Sequence, residues 1–119
     1  MIKYTEAHEW LKLEDGIVTV GITQYAADEL GDIVYIELPE TGSEVEAGDE
    51  VVVIESVKTA SDIAASLDGE ITEVNGHIVD DPATINADAM AAWFFKMKID
   101  DESALDGFMD EAAYQEMIS

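Results

Sequence analysis

Up to Ile99 the chain breaks into short runs whose apolar and polar positions have extended character; beyond Asp100 the spacing turns helical. "EWLKLE" and "GIVTVGIT" are two extended runs that meet at Asp15-Gly16, a step that predicts a tight hairpin because both turn residues tolerate positive φ. "TQYAADELGD" has the spacing of a short helix, with Thr23 as its N-cap and Gly31 just past its end. "IVYIEL" is the next strand and stops at Pro39. The turn-rich "PETGSEVEAGDE" leads into "EVVVIES", where β-branched density from Val51 to Ile54 predicts another strand. The chain should then reverse at Val57-Lys58-Thr59 and return through "ASDIAAS" to a turn at Asp68-Gly69. "EITEV" is extended. Asn75 to Asn86, with Gly76, Asp80, Asp81 and Pro82, reads as a loop holding one helical turn. "AWFFKMKI" is the last strand. In the helical tail Leu105, Phe108, Met109, Ala112 and Met117 fit one face, interrupted at Gly107. Gly31, Gly48 and Gly69 each precede an acid and aliphatic residues, and each is expected to open a strand of a sandwich.

These elements add up to a mainly β, antiparallel domain with short helices and a helical C-terminal appendage over residues 101–119. The length, 119 residues, suits one compact domain. Charge sharpens the picture. Twenty-eight acids face five lysines, for a formal net charge of −23. Such a surface repels phosphate backbones and anionic membranes, discourages self-association, and points to a monomer whose partners offer basic surfaces. A halophilic or acidic-proteome source would produce the same charge. Cysteine is absent, so disulfides, thiolate metal sites and cysteine nucleophiles are excluded. The start, "MIKYTEAHEW", has neither a signal h-region nor the character of an Arg-rich transit peptide. The simplest compartment is the bacterial cytoplasm; a processed chain of the mitochondrial matrix would read the same.

Most catalytic chemistries lack their residues. His8 and His77 have no metal-ligand spacing, and Asp80-Asp81 reads as a solvated loop. No Gly-x-Ser-x-Gly elbow or phosphate-cradling Gly-x-x-x-x-Gly-Lys occurs. Carboxylates are so abundant that any chosen pair is uninformative. What stands out is "ESVKTASD", residues 55–62. Lys58 is the only Lys or Arg between Leu13 and Phe95. At a hairpin apex its amine should project furthest from the body, and a protruding primary amine is suited to amide formation with a carboxylic-acid cofactor. A solvated turn lysine, guarding a sheet against edge pairing, is the plainer alternative.

"ESVKTASD" resembles the lipoyl-attachment segment of the glycine cleavage system H-protein family. "HEW" at residues 8–10, "VTVGIT" at 18–23, "LGDIVYIELPE" at 30–40 and "GEITEVN" at 69–75 are similar to the same family in the same order. The resemblance implies a flattened β-barrel or sandwich of the lipoyl/biotinyl carrier type. It implies lipoic acid in amide linkage to Lys58, installed by a lipoate ligase or lipoyltransferase. It implies a carrier without catalytic residues of its own, shuttling an aminomethyl group from glycine decarboxylase to aminomethyltransferase, with tetrahydrofolate as acceptor. Dihydrolipoamide dehydrogenase would reoxidise the arm. The resemblance also nominates Glu9 and Asp62 as carboxylates receiving the aminomethyl nitrogen, and Ile22 and Leu30 as an apolar wall beneath it.

The chain departs from the family pattern in two places. Ala64-Ala65-Ser66 replaces the usual Tyr-Ser-Pro, loosening the exit from the strand after the lysine. Asn86 to Trp93 is a residue shorter than the usual segment and lacks its glycines, so the approach to the last strand should be rebuilt as a helical turn. Four other readings stay open. A biotin carrier normally flanks its lysine with methionines, where this chain has Val57 and Thr59. A lipoyl domain of a 2-oxoacid dehydrogenase usually has Asp before and Ala after the lysine. An H-like relay of lipoate to other enzymes, and a binding module that carries nothing, complete the set.

Overall fold

The structure is a computed structural model and describes residues 2–119. Two antiparallel sheets face one another across a shared core. The larger contains β1 (Ile2–Tyr4), β2 (Glu9–Glu14), β3 (Ile17–Ile22), β5 (Glu44–Val45), β8 (Gly69–Val74) and β9 (Phe95–Lys98), in the order β1-β2-β3-β9-β8-β5. The smaller has the order β4-β6-β7, with β4 spanning Ile33–Glu37, β6 Glu50–Ser56 and β7 Ala60–Ala64. Period-two alternation sends Leu11, Val18, Val20, Ile71 and Met97 inward from one sheet to meet Ile36, Val52 and Ile54 from the other. The expected mainly β sandwich is therefore present, as two open sheets and not a closed barrel.

Local signals set several of these elements. Asp15 (φ 50°) and Gly16 (φ 78°) both lie in the left-handed region, closing the β2–β3 hairpin in two residues. Helix α1 (Gln24–Leu30) carries the chain from the large sheet to the small one. The Thr23 side chain caps it by accepting from the Ala26 N–H, and Gly31 ends it at φ 82°, ψ −164°. That conformation belongs almost wholly to glycine. Gly31, Gly48 and Gly69 do stand at or just before β4, β6 and β8.

Three expectations change. The segment after β8 holds two short helices, α2 (Gly76–Asp80) and α3 (Ala83–Ala87), where one turn is expected. The last strand begins only at Phe95, because Ala91 and Ala92 donate to the Asp88 carbonyl and keep that segment coiled. In the tail, a 3-10 turn at Glu102–Gly107 buries Leu105, but Ala112 and Met117 of helix α4 (Glu111–Ile118) are exposed. Tyr114 is the anchor instead: it stacks on Tyr4 at 4.8 Å between ring centres, and its hydroxyl meets Thr23 Oγ1 at 2.6 Å and His8 Nδ1 at 2.9 Å. Reciprocal backbone hydrogen bonds between Tyr4 and Met109 complete the attachment of the tail to β1.

Candidate modification site

Lys58 sits in the three-residue turn between β6 and β7. Ser56 organises that turn. Its N–H donates to the Thr59 carbonyl at 2.8 Å, and its Oγ accepts from the N–H groups of Lys58 and Thr59, both at 3.2 Å. From outside the hairpin, the Val57 N–H donates to the Asp32 carbonyl at 3.0 Å. The main chain under Lys58 is thus held by its own turn and by the residue that follows Gly31. The Lys58 side chain is exposed and makes no ion pair among the described residues; the pair present there is Lys12–Glu14.

The amine does not stand straight out from the apex as expected. The aliphatic stem lies back across Gly31, where a Cβ would come within 3.1 Å of Lys58 Cε and 3.6 Å of Nζ. Gly31 therefore serves two needs, a backbone conformation closed to other residues and a shelf without a side chain. Asn86 fixes that shelf. Its Nδ2 donates to the Gly31 carbonyl at 2.8 Å, and its Oδ1 accepts from the Ile33 N–H at 2.9 Å. These bonds satisfy a carbonyl past the end of α1 and the first amide of β4 with one side chain. Neither Gly31 as a shelf nor Asn86 as its clamp is foreseen from sequence. The only trace is that an Asn opens the departed segment, and its partners lie more than fifty positions away.

An accessible, unpaired primary amine on a fixed turn, with an aliphatic stem lying in a cradle that a Cβ would fill, fits an amide-linked acyl group. The other nominated residues lie in different settings. Glu9 is buried, at 3% exposure. Ser66 Oγ donates to its Oε1 at 2.7 Å and Thr5 Oγ1 at 3.4 Å. Burial raises the Glu9 carboxyl above the ordinary range, more than those two hydrogen bonds lower it. Ser66, expected only to loosen a strand exit, thus ties the segment after β7 to β2. Asp62 is exposed on β7 opposite Val53, and no hydrogen bond joins it to Glu9 among the described residues. Leu30 is half-buried against the core immediately before the Gly31 shelf, whereas Ile22 is 2% exposed inside the core.

Comparison with known proteins bears on this arrangement. The sequence pattern of the family described as Glycine cleavage H-protein matches residues 2–119. Among solved structures, the chain is similar to the crystal structure of a glycine cleavage system H protein from Mycobacterium marinum. The TM-score is 0.89 at 39% identity, over 98% of this chain and 95% of that one.

Proposed function

The chain belongs to the glycine cleavage H-protein family, and on that premise we propose that Lys58 is the residue through which it carries its lipoyl group. Members of this family are lipoyl carriers of the glycine cleavage system and not catalysts; they interact with the other components of that system. The observation that carries the assignment is the exposed, unpaired amine on a turn braced from two sides. In amide linkage there, the lipoyl group supplies a cyclic disulfide able to take up a one-carbon amine unit with reduction and to be reoxidised.

The residues of the chain do the rest. Ser56 and Asp32 hold the anchor point still. Gly31, with Leu30 beside it, gives the stem a surface to lie on. Glu9 and Asp62 are the carboxylates assigned to the cargo amine; on Glu9 the Ser66 and Thr5 hydroxyls both occupy Oε1, which leaves Oε2 for that role. The enzymes served are glycine decarboxylase, aminomethyltransferase and dihydrolipoamide dehydrogenase, and a lipoate ligase or lipoyltransferase installs the group. The acidic surface favours brief, charge-steered docking on each in turn, and the tether keeps the cofactor at high local concentration once docked.

Intact mass after incubation with lipoate, ATP and a lipoate ligase tests the assignment. The wild-type chain should gain one lipoyl group and the Lys58→Arg variant none, since arginine keeps the charge but is not acylated. An adduct that persists in Lys58→Arg would place the cofactor elsewhere.

A further inference from the structure

Strand β4 interrupts its own alternation. Ile33 and Ile36 are buried at 3% and 1%, yet both residues between them are exposed, Val34 at 56% and Tyr35 at 45%. A bulge explains this: Ile33 pairs with Ser56 and Tyr35 with Glu55, leaving Val34 as the extra residue. In a regular strand one of the two would turn inward. Two consecutive apolar side chains are thus aimed at solvent directly beside the lysine hairpin. Val57, at 67% exposure, lies across from Asp32, the residue just before that strand, because its N–H donates to the Asp32 carbonyl. The rim is acidic: Asp32, Glu37 and Glu55 are all exposed around the three apolar residues.

We propose that Val34, Tyr35 and Val57 form the docking surface for the enzyme that acylates Lys58, a partner presenting a small apolar seat with a basic collar beside an activated lipoyl carboxylate. The proposal rests on the reading of Lys58 as the lipoyl acceptor. The choice among partners follows from reach. Enzymes acting on the disulfide ring work at the far end of an extended arm and can stand off from the polypeptide. The acylating enzyme has no arm to work with. It must bring the acyl carbon to Nζ itself, and the surface around Val57 is then pressed against it. In that step the Nζ–carbon bond forms, the bond from the acyl carbon to its adenylate phosphate breaks, and the amine proton passes to a base or to solvent. The apolar patch also distinguishes this lysine from Lys12, paired with Glu14, and from Lys96, which lies over the Trp93 ring at 5.0 Å.

The test measures lipoylation by intact mass with a lipoate ligase, lipoate and ATP, over a range of carrier concentrations. The proteins compared are the wild type, a Val34→Thr/Tyr35→Thr double variant that keeps β-forming residues, and Val79→Thr. Val79 is an equally exposed aliphatic residue on α2, at 46%. The double variant should show KM for the carrier raised about tenfold with kcat within twofold, as expected for loss of an apolar docking contact. Val79→Thr should match the wild type. Fully lipoylated double variant should be turned over by dihydrolipoamide dehydrogenase within twofold of wild type, and matching thermal midpoints report an intact fold. An unchanged KM, an equal effect from Val79→Thr, or an equal loss in the dehydrogenase assay would overturn the proposal. A wild-type chain that takes no lipoyl group would instead remove the reading of Lys58 on which it stands.

Discussion

Glu9 shows how one buried acid couples to pH. Its folded-state pKa lies above the ordinary 4.5 because burial penalises the charged form. The native state therefore holds this proton more tightly than the unfolded chain does. The resulting stabilisation is fully present below about 4.5 and is lost as pH rises through the folded value. Glu9→Gln keeps the shape and removes the ionisation. The unfolding free energy of the variant relative to wild type, from urea melts at successive pH values, should rise across a window above 4.5 and then level off. A difference independent of pH would refute the desolvation argument. At this scale the place of Lys58 on an exposed turn was legible because the signals for that turn are local. The hydrogen-bonding of Glu9 was not, because Ser66 stands 57 positions away.

Among the elements, the β2–β3 hairpin and α1 were readable from Asp15-Gly16 and Thr23, whose effects are confined to a few neighbouring residues. Strands β1 and β5 were not; they are three and two residues long and extended only through their partners. The apolar face assigned to the tail failed for a related reason. Tyr114 is buried by Tyr4, His8 and Thr23, all about a hundred positions earlier, and nothing in the spacing of the tail announces them. Packing within the large sheet is tight beside the site. A Cβ at Gly21 would come within 2.7 Å of three atoms of the Trp10 indole, whose Nε1 donates to the Ala89 carbonyl. Gly21→Ala should cost about 1–3 kcal/mol by overpacking. Displacing Trp10 should shift tryptophan emission to the red, read in a Trp93→Phe background because Trp93 packs against the same cluster. Unchanged emission and stability would mean that the sheet opens there more easily than its geometry implies. The same displacement would loosen the segment that carries Asn86, the clamp on the Gly31 shelf.

For the whole molecule, charge governs both stability and encounter, with opposite dependence on salt. A net charge of −23 on 119 residues makes the compact state repel itself. Raising NaCl from about 0.01 to 1 M shortens the screening length from about 30 to 3 Å. The thermal midpoint should climb over that range, by about 4 °C for each kcal/mol of repulsion relieved. Docking on a basic partner should weaken over the same range, so the KM of the carrier should rise while the free protein becomes harder to melt. A midpoint insensitive to salt would show that the acids are spaced too widely to oppose folding. The sign and size of this field were open to reading from composition alone.

Because the turn bearing Lys58 is pinned while the side chain only rests on Gly31, lifting that side chain off the body breaks no main-chain hydrogen bond. Departure and return are bond rotations of a solvent-exposed side chain, events of the picosecond-to-nanosecond range. With the lipoyl group on Lys58 as proposed, an unloaded arm would pay out far faster than two proteins can find one another, so the tempo of its delivery would belong to diffusion and not to the carrier's own backbone.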